Sequence, residues 1–338
     1  MREAFGERFD VPAGYLNTAS VGVPPAPVAD AMERAVREWR TGSATAPSYD
    51  DPTDRARAAW ARLVGVPADR VAIGAAVSPL VGLVAAAVPD GTRVGVCEGE
   101  FTSVSYPFAV QGRGVTVTEV PLDELGARAA EFDVVATSVV QSLDGRLADL
   151  DALERARGRG TRVVLDVTQS GWLPTRLDWA DVVVGAGYKW LMSPRGTAWM
   201  AVHPSLELTP HAAGWYAAAD RWGSTSGLPP RLAPDARALD TSPAWMCQAG
   251  AAVALEWVAG LDLELVAKHC TGLADAFRAG LGLEPAGSAI THVRVPGAAE
   301  RLAAAGITAT ERGGGVRLSF HLYNDMSDVE RALAALSG

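Results

Sequence analysis

The chain has 338 residues, of which 49% are hydrophobic and 20% are charged, a balance typical of a folded globular protein and not of a disordered one. Its formal net charge is −9, and lysine and arginine do not cluster along any helix face, so a nucleic-acid-binding surface is not expected. This length favours about two domains with a large buried core.

The cysteines and the N-terminal segment indicate a cytoplasmic location. Cys97, Cys247 and Cys270 are odd in number and far apart, which fits a reducing compartment. The N-terminal segment MREAFGERFD lacks the apolar stretch of a secretory signal. Neither the cysteines nor the five scattered histidines have metal-ligand spacing, so no metal site is predicted.

One uncharged run, 71–88, approaches a membrane span in length. Glycine, serine and proline interrupt it, and Pro79 stands where a helix would have its first turn. The run is therefore predicted to form a strand, a turn and a buried helix of a soluble protein, and no membrane contact is expected.

Helices are predicted over 28–40 and 53–64, and after them short β-branched runs alternate with helical stretches. The runs lie at 71–73, 93–97, 115–120, 133–140, 161–167 and 181–186. This alternation predicts an α/β fold in which a mostly parallel sheet lies between layers of helices.

The composition changes after about residue 205. The stretch 204–243 is rich in proline, glycine, tryptophan and serine and is predicted to be an ordered connection. Helices are expected at 245–261 and 262–281, strands at 292–295 and 315–320, and a last helix from Ser327. The pattern predicts a large domain over 15–240 and a small α+β domain formed by 1–14 and 241–338.

Two charged residues stand where apolar strands end, Asp166 in VVLDVTQ and Lys189 in VVVGAGYKW. The carboxyl ends of parallel strands face the ligand crevice, so both side chains are expected in one pocket. Pyridoxal 5′-phosphate (PLP) chemistry needs these two groups: an amine that forms an imine and a carboxylate that keeps the pyridine nitrogen protonated. The alternative is a structural ion pair between neighbouring strands.

The sequence resembles the class V aminotransferase family of fold-type I PLP enzymes through five segments in register. These are YLNTASVG, EGEFTS, DVTQS, GYKWLMSPRG and RLSFHLYND, and the match runs from about Tyr15 to the C-terminus. The family includes cysteine desulfurases, kynureninase and isopenicillin N epimerase. The resemblance implies that Lys189 forms the imine with the cofactor and that Asp166 contacts its pyridinium nitrogen.

The same resemblance assigns the other cofactor contacts. Gln169 is expected to bind the phenolic oxygen, and Phe101 to stack on the ring. The loop that binds the phosphate corresponds to Ala75, Ala76 and Val77, where backbone N–H groups at a helix start hold the dianion. This loop departs from the family pattern because Ala76 replaces a common threonine. Two further residues differ from those of many family members. Ser142 replaces an asparagine and is expected to contact the cofactor or the substrate, and Tyr188 replaces a histidine and is expected to reach the phosphate.

Substrate and subunit contacts are implied by the resemblance as well. Arg317 matches the arginine that binds the substrate carboxylate, although an exposed strand arginine is the alternative. Asn17 is expected near the substrate, or else it caps the following turn. Thr241 and Ser242 match a segment that reaches the phosphate site of the neighbouring subunit, which implies a homodimer with shared active sites.

Within the family, the segments VQSLDGR, HAAGWY and TSPAW most resemble the PLP-dependent C–S lyase of ergothioneine biosynthesis. That resemblance implies β-elimination from hercynylcysteine sulfoxide, with release of pyruvate and ammonia. Desulfurases carry a loop cysteine shortly before the strand of the carboxylate arginine, and ITATERGGGVRLSF contains none. Epimerisation, transamination and a non-enzymatic binding role are the alternatives.

The proposed substrate carries a trimethylammonium group, which aromatic rings attract by about 0.5–2 kcal/mol each. Trp215, Tyr216 and Trp222 lie close together in the connecting region, and one or more of them are predicted to line that end of the pocket. The alternative is that these rings pack the connecting region itself.

Overall fold

The computed structural model describes residues 1–337. Its strands are β1 (Arg2–Ala4), β2 (Glu7–Phe9), β3 (Val71–Gly74), β4 (Arg93–Cys97), β5 (Thr116–Val120), β6 (Val134–Ser138), β7 (Arg162–Asp166), β8 (Val182–Ala186), β9 (Ala198–Val202), β10 (Ile290–Val293), β11 (Thr310–Arg312) and β12 (Gly315–Ser319). Its α-helices are α1 (Ala26–Thr41), α2 (Asp50–Val64), α3 (Val77–Ala87), α4 (Thr102–Ala109), α5 (Leu122–Arg128), α6 (Leu150–Arg157), α7 (Trp245–Ala259), α8 (Leu263–Gly280), α9 (Ala298–Ala304) and α10 (Met326–Ser337).

The central sheet has the strand order β3-β9-β8-β7-β6-β4-β5. Strands β5, β4, β6, β7 and β8 pair in parallel, whereas β9 is antiparallel to both of its neighbours. The predicted mostly parallel α/β sheet is therefore confirmed. The sequence analysis missed β9, because AWMAV comes directly after a loop and has no helix before it.

Both faces of this sheet are buried, as the continuous apolar runs predict. Val164 packs into the core on the face of α3 and α4, while Leu165 packs into the core on the other face with α2 and α7. All five residues of β8 are buried. The sheet is thus a rigid platform, and the residues at its strand ends are held by packing on two sides.

The uncharged run 71–88 forms β3, a turn and α3, with Pro79 in the first turn of the helix, as predicted. Among residues 1–337, no helix combines the length and the apolar character that crossing a bilayer requires.

The C-terminal part contains a second, smaller core. Strands β10, β12 and β11 form an antiparallel sheet, and Phe277, Leu302 and Phe320 pack between it and helices α8, α9 and α10. Helix α7 instead shares the core of the large sheet through Ala251 and Leu255. The division proposed at residue 241 thus separates α7 from the core into which it packs.

The connecting stretch 204–243 contains two short 3-10 helices, Trp215–Ala217 and Ala236–Leu239, and otherwise irregular backbone. Its end is anchored by a buried ion pair in which Arg57 Nη2 lies 2.7 Å from Asp240 Oδ2. Asp240 Oδ1 also accepts the backbone N–H of Ile73 at 2.9 Å. The pair therefore joins α2, β3 and the connecting stretch directly beside the N-terminal turn of α3.

Replacing Asp240 with alanine is expected to lower the free energy of unfolding by about 3 kcal/mol, because the buried Arg57 guanidinium loses its close carboxylate and keeps only the half-exposed Asp54 at 3.7 Å. Glu154→Ala is the matched control, since Glu154 pairs with Arg176 on the surface, and it should cost about 1 kcal/mol or less. Chemical denaturation of both variants measures the difference. Equal decreases in the free energy of unfolding would show that the buried pair contributes no more to stability than the surface pair.

Candidate active site

A cavity of about 320 Å³ opens at the carboxyl ends of the parallel strands. Asp166 is the last residue of β7, and Lys189 lies three residues after the end of β8. Both side chains line this cavity, as the strand ends predicted. The residues around it come from the loops after β3, β4, β6, β7 and β8.

Asp166 is held in place by its own turn. Its Oδ1 accepts the backbone N–H of Thr168 at 2.7 Å, and neighbouring strands cover both sides of its backbone. Burial is the main cause that raises the pKa of this carboxyl from 3.8 to about 6, and the bond from Thr168 opposes the shift. Within residues 1–337, no cationic nitrogen lies within ion-pairing distance of its oxygens.

Lys189 is one of only two lysines in the sequence, the other being Lys268. Its side chain is 5% exposed, and Nζ lies 5.2 Å from the centre of the Phe101 ring. Burial lowers the pKa of the amine from 10.5 to about 8, although Asp166 opposes this change. A buried amine with this pKa is neutral for a substantial fraction of the time near pH 8, as a nucleophile or base must be.

The loop that carries Lys189 is packed against the N-terminal segment. Gly22 donates its N–H to the carbonyl of Tyr188 at 3.0 Å. A side chain at Gly22 would place its Cβ 1.8 Å from the carbonyl oxygen of Lys189, so only glycine fits. Close backbone approach therefore fixes where the amine enters the cavity.

Gln169 and Ser142 meet at the cavity wall. Trp190 donates its Nε1–H to Gln169 Oε1 at 2.6 Å, and Gln169 Nε2 donates to Ser142 Oγ at 3.1 Å. The indole thus sets the orientation of the amide, whose Nε2 also donates to the carbonyl of Ala19 at 3.1 Å. Gln169 lines the cavity, where it is predicted to contact a phenolic oxygen, and Ser142 belongs to the same hydrogen-bonded group.

The N-terminal turn of α3 forms another wall of the cavity. Ala75, Ala76, Val77 and Ser78 line it, and no side chain caps the N-terminus of this helix. Free N–H groups at a helix start attract an anion, and the sequence analysis assigned the phosphate to this turn. Tyr188 also lines the cavity, with the guanidinium of Arg195 5.0 Å from the centre of its ring.

Arg317 is 1% exposed and lies next to the Ser142 loop. Its Nη1 donates to the carbonyl of Ser142 at 2.5 Å and to the hydroxyl at 3.1 Å, and its Nη2 donates to Ser20 Oγ at 2.7 Å. Its Nε is buried without a partner. Burial, together with the charge of Arg312, lowers its pKa to about 10. The exposed-strand alternative for Arg317 is thus wrong.

Asn17 lies in the same polar group. Its Oδ1 accepts the hydroxyl of Thr310, which lies 3.1 Å from Ser20 Oγ. The side chain of Asn17 therefore contacts β11 and reaches Arg317 only through Thr310 and Ser20.

Asn17 and Arg317 lie behind the Ser142 wall, and five further predicted site residues lie outside the lining of this cavity within one chain. Thr241 bonds through its backbone N–H to Ile73 next to the α3 turn, and Ser242 comes next on the surface. The three aromatic residues form a separate cluster, in which Trp215 contacts both Tyr216 and Trp222.

This aromatic cluster is packed against α2. Tyr216 is buried beneath the guanidinium of Arg221, which lies 4.2 Å from the centre of its ring, and Trp222 donates its Nε1–H to Asp50. A ring already covered by arginine cannot bind a substrate cation on that face. Within the chain the three rings pack the connecting stretch and do not line this cavity, and their contact with a substrate stays a prediction.

The sequence analysis assigned no role to Glu100, which organises the cavity wall. Its buried carboxylate accepts hydrogen bonds from Thr137, Ser138, Gln141 and the backbone N–H of Phe101. The side chain thereby ties the Phe101 loop to the loop that leads to Ser142. The segment EGEF does not reveal this role of Glu100, because most of its hydrogen-bond partners lie at the end of β6, far away in the sequence.

Among residues 1–337, no thiol lines the cavity. Cys97 and Cys270 are buried, and burial raises the pKa of the Cys97 thiol to about 12. Cys247 lies in α7 behind the loop after β8, where its Sγ contacts the carbonyl of Arg195. These positions at a strand end and in two helices match the predictions.

The residues present fit PLP. A buried amine and a buried carboxylate line one cavity without ion-pairing to each other, an aromatic ring faces the amine, and an uncapped helix start lies at one wall. The aldehyde of PLP would react with the amine, its ring nitrogen would meet the carboxylate, its ring would stack on the aromatic side chain, and its phosphate would bind at the helix start.

No protein-family model matches the chain. It is 28% identical over 206 residues to isopenicillin N epimerase from Streptomyces clavuligerus, a match that spans 52% of each protein. It is 27% identical over 312 residues to an uncharacterized aminotransferase from Bacillus subtilis (strain 168), covering 84% of this chain and 82% of the relative.

Solved structures match almost the whole chain. The apo cysteine desulfurase from Thermococcus onnurineus NA1 superposes with a TM-score of 0.83 at 18% identity, covering 95% of this chain and 93% of that one. The cystine C–S lyase C-DES, in complex with its product cysteine persulfide, superposes with a TM-score of 0.84 at 18% identity, covering 97% and 98%. The chain therefore has the fold-type I fold of PLP-dependent enzymes, in the form that cysteine desulfurases have.

Proposed function

We propose that the chain is a PLP-dependent C–S lyase that catalyses β-elimination from a cysteine S-conjugate sulfoxide, with hercynylcysteine sulfoxide as the substrate. The observation that carries the proposal is the cavity itself: a buried amine and a buried carboxylate, no ion pair between them, and no thiol. The segments HAAGWY and TSPAW support the choice of substrate.

When bound, the cofactor supplies an electron sink for the negative charge that develops at the substrate Cα. Lys189 is the group placed to remove the Cα proton, since its lowered pKa makes the amine available as a base near pH 8. Asp166 would contact the ring nitrogen and keep it protonated, and the Phe101 ring, whose centre lies 5.2 Å from Lys189 Nζ, would stack on the cofactor. Arg317 binds the α-carboxylate and thereby orients the Cα–H bond.

Elimination breaks the bond between Cβ and sulfur. The electron pair of the broken Cα–H bond forms the Cα–Cβ double bond, and the sulfur leaves as a sulfenate. The sulfenate takes up a proton to give the sulfenic acid, and water converts the remaining 2-aminoacrylate into pyruvate and ammonia. No oxidant or reductant is needed for these steps.

Epimerisation is the second candidate, because one relative is an isopenicillin N epimerase. Exchange of a proton between two faces of Cα is easiest with two bases. Among the described residues that line the cavity, Lys189 is the only amine, so the cavity offers no second amine as a base. Loss of a leaving group from Cβ needs only one base, which favours elimination.

The homodimer and a cytoplasmic location belong to the same proposal. Ala75 and Ala76 are exposed at the edge of the cavity, where Thr241 and Ser242 of a neighbouring subunit are expected to cover the phosphate. The three free cysteines fit a reducing compartment.

Purified protein loaded with PLP is expected to release pyruvate and ammonia in equal amounts from hercynylcysteine sulfoxide, with less from S-alkylcysteine sulfoxides and no sulfide from cysteine. Lys189→Ala should reduce the rate by about 100-fold or more, since it removes the base. Lys268→Ala, which changes the other lysine on the surface, should retain full activity. Racemised substrate without pyruvate would support the epimerase instead.

Replacing Asp166 with asparagine tests two effects of the buried carboxylate, one on stability and one on catalysis. Because the folded-state pKa of about 6 lies above the ordinary value of 3.8, this group contributes favourably to stability below about pH 4, and that contribution is lost as the pH rises through 6. The cofactor-free variant should therefore be more stable than the cofactor-free parent at pH 8, by about 2–3 kcal/mol, and equal to it near pH 3.

The same variant loaded with PLP should lose about 100-fold or more of the lyase rate. Denaturation of the cofactor-free proteins at the two pH values and steady-state rates measure the two effects. A variant that is less stable at pH 8 and retains its activity would contradict both roles of Asp166.

A further inference from the structure

A second arginine stands beside Arg317 on the same face of the small sheet. Strands β11 and β12 form a hairpin in which Thr310 pairs with Arg317 and Arg312 pairs with Gly315. Side chains alternate along a strand, and directly opposite residues share a face, so Arg312 and Arg317 project to the same side. Arg312 lies two residues closer to the hairpin turn than Thr310, the residue opposite Arg317.

Both guanidinium groups bind one hydroxyl. Ser142 Oγ receives hydrogen bonds from Arg312 Nη1 at 3.2 Å, from Arg317 Nη1 at 3.1 Å and from Gln169 Nε2 at 3.1 Å. A hydroxyl oxygen has two lone pairs, so three donors exceed what it accepts. Arg317 Nε, which is buried, has no partner at all.

The surrounding charges leave this cluster positive. Within residues 1–337, neither arginine lies within 4.0 Å of a carboxylate, although acidic residues outnumber basic ones in the chain. Glu311 alternates to the other face of β11, and Asp144 is paired with Arg146 at 2.9 Å. The buried carboxylates of Glu100 and Asp166 lie on the cofactor side and accept other hydrogen bonds. The donors around Ser142 therefore outnumber their acceptors among the described residues, as in an anion-binding site before it is filled.

We infer that Arg312 determines specificity by binding a second anionic group of the substrate, a carboxylate carried on the substituent of the sulfur, while Arg317 binds the α-carboxylate. This inference rests on the proposed function of the same cavity. Arg317 is buried next to the Ser142 loop, whereas Arg312 is half-buried and stands closer to the hairpin turn at Gly313 and Gly314. The planar guanidinium matches a carboxylate with two parallel bonds.

A binding experiment tests this without any reaction. Glutarate, which has two carboxylates, and pentanoate, which has one and the same number of carbons, are titrated into the PLP-loaded protein by calorimetry. Glutarate is expected to bind more tightly, and Arg312→Gln should remove that preference by weakening glutarate about 10- to 100-fold and leaving pentanoate unchanged. Arg294→Gln, which alters an exposed arginine next to β10, is the control and should change neither.

Kinetics provide the second arm. With S-(2-carboxyethyl)cysteine sulfoxide, Arg312→Gln should raise KM about 10- to 100-fold with little change in kcat, and with S-propylcysteine sulfoxide it should change neither constant. Arg312→Lys should restore part of the affinity, because the charge remains but the second parallel bond is lost. Thermal unfolding of the variants should match the parent.

Two outcomes would overturn the inference. Equal weakening of glutarate and pentanoate by Arg312→Gln would mean that both arginines share the α-carboxylate, and no effect on either would mean that Arg312 binds no anion. Absence of pyruvate from every substrate would contradict the proposed function, yet the calorimetric comparison would still decide the role of Arg312.

Discussion

The structure depends on one electrostatic constraint: an amine and a carboxylate are buried at neighbouring strand ends without neutralising each other. Taking a charge out of water costs several kcal/mol, and proteins normally recover this through an ion pair. Here the pKa of Lys189 falls to about 8 and that of Asp166 rises to about 6, both mainly because of burial. The fold therefore keeps the amine and the carboxylate available for a ligand that can interact with both groups.

The rest of the architecture holds those two groups in position. The two-sided core fixes the ends of β7 and β8, the backbone of Gly22 closes against the Lys189 loop, and Glu100 ties the Phe101 loop to the next strand end. These contacts differ in chemistry but have one effect, which is to limit how far the reacting groups move. Positioning of this kind lets a shared fold support different reactions, because the activity depends on the residues around the cavity and not on the fold alone.

Sequence reasoning found the sheet, Lys189 and Asp166 because an isolated charge after a buried apolar strand is a local signal. It found Arg317 through VRLSF, but it assigned no role to Arg312 in the same segment, although two arginines flanking three glycines indicate a hairpin that places both on one face. The packing of Tyr216 was not predictable, since an aromatic run does not reveal that Arg221 covers its ring. Contacts between distant segments, such as those of Glu100, have no local pattern to find.

Because the sequence contains only Lys189 and Lys268, the central claim has a direct test. PLP is added to the purified protein, the adduct is reduced with borohydride, and peptide mass spectrometry locates the label. The account predicts a single pyridoxyl group on Lys189, with Lys268 unmodified, and loss of the label in the Lys189→Ala variant. Label on Lys268 alone, or no label on either lysine, would contradict it.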